Sequence, residues 1–112
     1  LDYFDYDLDT NSKTFTMTCD SSDPRTPTPD IFVLLRLGLK KLILKGNTYN
    51  AVAENSGILK LPIRVLDIRA LKHAQIDLLF QHPTLDTLII SKGAFKQKKL
   101  EQLQSKFRVI QI

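Results

Sequence analysis

The stretch Leu39-Lys40-Lys41-Leu42-Ile43-Leu44-Lys45-Gly46-Asn47 decides the fold, because it spells L-x-x-L-x-L-x-x-N and its first six positions return downstream. The returns are Ile63-Arg64-Val65-Leu66-Asp67-Ile68, Leu85-Asp86-Thr87-Leu88-Ile89-Ile90 and Phe107-Arg108-Val109-Ile110-Gln111-Ile112. They follow one another by 24, 22 and 22 residues, counted Leu39 to Ile63 to Leu85 to Phe107. An apolar pattern with such a period belongs to a stacked array, in which each unit touches only its neighbours. Arrays of this kind expose a surface for binding more often than a pocket for chemistry.

Working outward toward the N-terminus, residues 2–9 mix aromatic and acidic residues and from Phe4 alternate strictly, with Phe4, Tyr6 and Leu8 on one side and Asp5, Asp7 and Asp9 on the other. Period two marks a half-buried strand. Thr10-Asn11-Ser12 supplies turn residues, and Thr14 to Cys19 alternates again, which predicts a hairpin covering the first repeat. Residues 20–29 (DSSDPRTPTP) read as a loop. Thr28 as N-cap and Pro29 at the first helical position predict a helix, with Ile31, Leu34 and Leu35 inward and Gly38 at its end.

Toward the C-terminus, a short helix is expected around Ala51 to Glu54, closing near Gly57, and a second strand over Arg64 to Arg69. Ala74 to Phe80 is helical by spacing and must stop before Pro83. A strand over Thr87 to Ser91 follows. Residues 94–107 are expected to form an amphipathic helix, with Phe95, Leu100 and Leu103 inward and Lys96, Lys98, Lys99, Gln102 and Lys106 outward. The last strand is Arg108 to Ile112. Strand–helix alternation predicts parallel strands joined by right-handed crossovers.

The stretch at residues 39–47, with Leu61-Pro62-Ile63-Arg64-Val65-Leu66-Asp67-Ile68 and His82-Pro83-Thr84-Leu85-Asp86-Thr87-Leu88-Ile89-Ile90, resembles the leucine-rich repeat family over roughly residues 39–112. Phe15-Thr16-Met17-Thr18-Cys19 is a looser first copy, with Met17 standing where Leu42 stands. The resemblance implies an α/β solenoid: parallel strands on the concave side, helices on the convex side, and the N-terminal hairpin as a cap. The length of 112 residues fits one domain, with residues 1–19 as cap, 20–29 as loop and 30–112 as repeats. The family's Asn, which bonds backbone where the chain leaves the strand, is kept at Asn47; Leu71 and Gly93 stand at the matching later positions. The alternation also resembles the anti-sigma-factor antagonist (STAS) family, a sandwich with shuffled strand order. That family's phosphorylatable Ser at a helix start is missing from Asp67-Ile68-Arg69-Ala70-Leu71-Lys72-His73-Ala74.

In L-x-x-L-x-L the leucines point inward and the flanking residues point out of the sheet. The resulting concave set, expected to bind a partner, is Lys41, Ile43, Lys45, Val65, Asp67, Arg69, Thr87, Ile89 and Ser91. Thr16, Thr18 and Asp20 precede it and Val109 with Gln111 follow, so a middle row of Thr18, Ile43, Asp67, Ile89 and Gln111 is expected. Exposed Ile and Val framed by charge suit a protein partner or an adjacent domain of the same polypeptide better than a small ligand.

Composition agrees with an ordinary globular domain: 112 residues, 43% hydrophobic and 25% charged. The longest apolar run, Ile31 to Leu35, is broken by Arg36, so no membrane span and no signal peptide are expected. The first residue is Leu1, as in an excised or processed domain, and the single Cys19 fits a reducing cytoplasm. The net charge of +4 divides unevenly, with seven acids against two bases in residues 1–30 and fourteen bases against five acids beyond.

No catalytic residue, metal site or cofactor is expected. Asp5-x-Asp7-x-Asp9-x-Asn11 lacks the Gly and the terminal Glu of a calcium loop. His73 and His82 stand without partners at metal-ligand spacing. Ser21 and Ser22 have no base nearby, and no nucleotide, hydrolase or zinc-protease motif occurs. Lys96, Lys98, Lys99, Lys106 and Arg108 could contact phosphates, but Gln97, Gln102 and Gln104 interleave and the aromatics belong to the core, which makes nucleic acid an unlikely partner.

Overall fold

The computed structural model describes residues 4–19, 31–46, 54–69 and 76–112. Strands β1 (Phe4–Asp9) and β2 (Thr14–Cys19) are followed by helix α1 (Ile31–Arg36), strand β3 (Lys41–Gly46), a 3₁₀ helix (Glu54–Lys60) and strand β4 (Val65–Asp67). A second 3₁₀ helix (Asp77–Gln81), strand β5 (Thr87–Ile90), helix α2 (Gln97–Lys106) and strand β6 (Arg108–Gln111) complete the order. The fold is mixed α/β, built on one open six-stranded sheet.

Strand order is β1-β2-β3-β4-β5-β6, so every strand lies beside its predecessor in the chain. The shuffled order that the sandwich alternative requires is not found. β1 and β2 form the expected antiparallel hairpin, and β2 through β6 are parallel. One backbone device repeats at the strand starts. The Lys13 carbonyl accepts the amides of Lys40 and Lys41 (2.9 and 3.3 Å), that of Lys40 accepts Arg64 and Val65 (2.8 and 3.2 Å), and that of Arg64 accepts Asp86 and Thr87 (both 3.0 Å). The Asp86 carbonyl takes the Arg108 amide at 2.8 Å. Each segment is thus registered by the one before it.

Alternation along the strands sends Met17, Leu42, Leu44, Leu66, Leu88 and Ile90 to one face, where none is more than 1% exposed. The described helical segments give Leu34, Ile58, Leu79 and Leu103 to the same cluster. Fully burying each such side chain is worth about 1.5–3 kcal/mol. Phe107 stacks on Phe80 with ring centroids 6.1 Å apart, and Tyr6 lies over Phe15 at 5.6 Å, which ties the hairpin to the core. As its position predicts, Gly38 leaves α1 with φ +59, a left-handed conformation that costs glycine little.

Three readings need correction. The helix expected near Ala51–Glu54 with an end at Gly57 is, within the described residues, a 3₁₀ helix that continues through Gly57 to Lys60. The segment before Pro83 is likewise 3₁₀, over Asp77–Gln81. Register differs at both ends of the parallel sheet. Phe15, not Met17, pairs with Leu42, because the Lys13 carbonyl clamps Thr14 opposite Lys41. Val109, not Ile110, pairs with Leu88. There α2 hands over to β6 directly through Phe107, whereas Asp86 intervenes between the buried Leu85 and β5. The Thr28–Pro29 cap, the loop before it, Asn47 and the helix start at Ala74 lie outside the described residues.

Candidate functional site

The face of the sheet opposite the core is the candidate site. Its rows follow from register. The first is Thr14, Lys41, Val65, Thr87 and Arg108; the second is Thr16, Ile43, Asp67, Ile89 and Ile110. Thr18 and Lys45 begin a third, and Arg69 and Ser91 continue it just beyond their strands, where the Ser91 hydroxyl donates to the Arg69 carbonyl. All nine residues expected to meet a partner therefore share this face.

The one-residue shift in β6 changes the far side. Val109 packs against the core, and Arg108 and Ile110 occupy the open face in place of the expected Val109 and Gln111. Thr16 replaces Thr18 in the middle row for the same kind of reason. Asp7 and Asp9 pair with Thr16 and Thr14, so the acidic side of β1 extends this face as well. The alternation of these acids with Tyr6 and Leu8 in the sequence already assigns them opposite the core.

Two members of the middle row are not freely presented. Asp67 is 2% exposed and Ile89 8%. The Asp67 carboxylate accepts the Arg69 amide at 3.2 Å and both of its oxygens accept Arg69 Nε at 3.0 Å, with Nη2 2.8 Å away. A charge taken out of water needs such a partner, and the fork geometry of a guanidinium supplies it. The hydrogen bond to Asp67 and its charge hold Arg69 even more firmly protonated than usual. Arg69 is thus a clamp on its neighbour, although its outer edge stays exposed.

The basic C-terminal helix also has internal commitments. Lys99 reaches Asp77 at 2.5 Å and lies 5.9 Å above the Phe80 ring. Lys106 donates to the Phe80 carbonyl and sits over Phe107. Lys96 and Lys98 remain exposed.

No group of three or more His, Cys, Asp or Glu that could hold a metal ion occurs among the described residues. No helix among them is long and apolar enough to cross a membrane. The chain matches no family model, no curated protein and no solved structure.

Proposed function

We propose that the chain is a short, divergent solenoid of leucine-rich-repeat type and a non-enzymatic module that docks a protein partner, or an adjacent domain of its own polypeptide, on the open sheet face. One observation carries the reading: five parallel strands in sequential order set the part-exposed Ile43 and Ile110 in one row, on either side of the buried Asp67 and Ile89 and framed by Lys41, Arg108 and Arg69. Part-exposed apolar side chains with a charged rim are the anatomy of a protein-binding surface. The hairpin β1–β2 serves as the cap of the array. A reducing compartment such as the cytoplasm accords with a single cysteine.

The internal bonds of Lys99 and Lys106 weigh against the basic helix as a phosphate-binding strip. Sequential strand order weighs against the STAS-like alternative.

Photocrosslinking tests the reading. Benzoylphenylalanine placed at Thr87 or Ile110 should yield discrete protein adducts in cells that make the full polypeptide, and at Gln102 or Ser105 on α2 it should not. Adducts from the helix alone, or from neither side, would refute docking on the sheet. Arg69 is unsuitable as a probe, since Arg69→Glu would set a like charge against buried Asp67.

A further inference from the structure

At the strand-start end of the open face the chain forms an open cleft of ≈ 850 Å³, bordered by Ser12, Thr14, Lys40, Lys41, Pro62 and Arg64. Backbone register gathers its charge. The Lys40 carbonyl takes the Arg64 and Val65 amides, which stacks Lys40 beside Arg64, and Lys41 pairs with Thr14 on one side and Val65 on the other. Strands stand about 4.8 Å apart, so these cations crowd one rim.

Little on the protein answers that charge. Among the described residues no acid pairs with Lys40 or Lys41. Arg64 meets Asp86 at 3.6 Å, with both side chains more than half exposed. The other nearby acid, Asp9, is committed to Ser12, whose amide lies at 3.3 Å and whose hydroxyl adds to the effect, and to the amide of Asn11 at 3.0 Å, bonds that hold its carboxyl below the usual range. The Ser12 and Thr14 hydroxyls bond one another at 2.9 Å on the same edge. Three cations around a concavity suit an oxyanion. No aromatic ring lines the cleft, so a nucleic-acid base would find nothing to stack on.

We infer that this cleft binds carboxylate side chains of an acidic segment of the protein partner, through Lys40, Lys41 and Arg64. The inference rests on the reading of the open face as a docking surface and names the chemistry at its strand-start end. The cleft continues that face, because Thr14, Lys41 and Val65 belong to both. Long-range attraction to acidic partners follows from the same charges and weakens with salt.

Fluorescence anisotropy provides the test, with a short fluorescein-labelled Glu-Ser peptide, its Gln-Ser counterpart and a labelled oligouridylate as probes. The Glu-Ser peptide should bind and the Gln-Ser peptide should not. Lys40→Glu with Lys41→Glu should weaken binding about tenfold, with an unchanged circular dichroism spectrum. Arg64→Gln, which touches a different strand, gives a second reading should the double variant misfold, and should weaken binding too. Equal binding of both peptides, no binding of either, or affinity unmoved by these substitutions overturns the inference. Tighter binding of the oligouridylate than of the Glu-Ser peptide also overturns it, in favour of nucleic acid. Crosslinks from Thr87 and Ile110 that persist in a protein without peptide affinity would show that the cleft assignment failed while face docking survived.

Discussion

At the scale of single residues, His82 is the most constrained polar group described. It is 3% exposed, and its Nδ1 accepts the amides of Thr84 and Leu85 at 3.2 and 3.1 Å. With Nδ1 accepting, the proton sits on Nε2, which donates to the Ile58 carbonyl at 3.0 Å. The neutral ring therefore joins the two 3₁₀ segments, and its position as C-cap of the second one matches its place before Pro83. Burial lowers its pKa, with the charge of Lys106 adding to the effect and the carbonyls of Ile58 and Leu61 opposing it. A second proton would also set a donor against two amides. Because the folded pKa lies below the unfolded value of about 6.5, the unfolded chain takes up the proton first. The contribution is complete above about pH 6.5 and is lost as pH falls through that value toward the folded pKa. Thermal melts between about pH 7.5 and 5.5, above the range of ordinary carboxylates, should show Tm falling with pH, and His82→Gln should flatten that slope while lowering Tm at neutral pH. A variant with an unchanged slope would assign the acid sensitivity elsewhere.

At the scale of elements, the question is which side of β6 faces the core. The repeat pattern puts Ile110 inward, and the register puts Val109 there. Val109→Asp should therefore cost about 1–3 kcal/mol in urea denaturation, through a carboxylate set against apolar neighbours, and Ile110→Asp well under half of that. The reverse order would restore the repeat phase. The disagreement shows what sequence could and could not convey. Strand interiors were legible, because Leu42-x-Leu44 and Leu66-x-Ile68 alternate against a continuous core, and that alternation also placed all nine face residues. Register at the two ends was not legible, because it depends on how a segment enters its strand. Lys13, at φ +53 in the hairpin turn, fixes β2, and the direct passage from Lys106 through Phe107 fixes β6. The burial of Asp67 was also hidden. Its charge pointed to solvent, and only the return of Arg69 two residues later shows why the carboxylate can sit under the surface. The 3₁₀ segments escaped for a related reason: both are short, and apolar spacing over so few residues does not distinguish three residues per turn from 3.6.

At the scale of the whole molecule, the described strands pair only with their neighbours in the chain. β2 meets β1 and β3, β4 meets β3 and β5, and among the described residues no strand reaches past its neighbour. The carbonyls of Lys13, Lys40, Arg64 and Asp86 relay the same order, each holding the segment that follows. If the chain is the solenoid proposed above, its stability approximates a sum of neighbour contacts, and a strand with two partners is protected by more of it than a strand with one. The core residues agree, since Leu42, Leu66 and Leu88 are fully buried in β3 to β5, while Tyr6 and Leu8 on β1 are 53% and 39% exposed. Native-state hydrogen exchange should therefore be graded, slowest at the amides of β3, β4 and β5 and faster at both β1 and β6. Leu66→Ala, in the middle, should cost about 2–5 kcal/mol and speed exchange in β3 and β5 together, since both lose their shared partner. Exchange at one common rate from Tyr6 to Gln111, with Leu66→Ala accelerating every amide alike, would describe a single cooperative core instead, and the neighbour-by-neighbour account of the fold would fall with it.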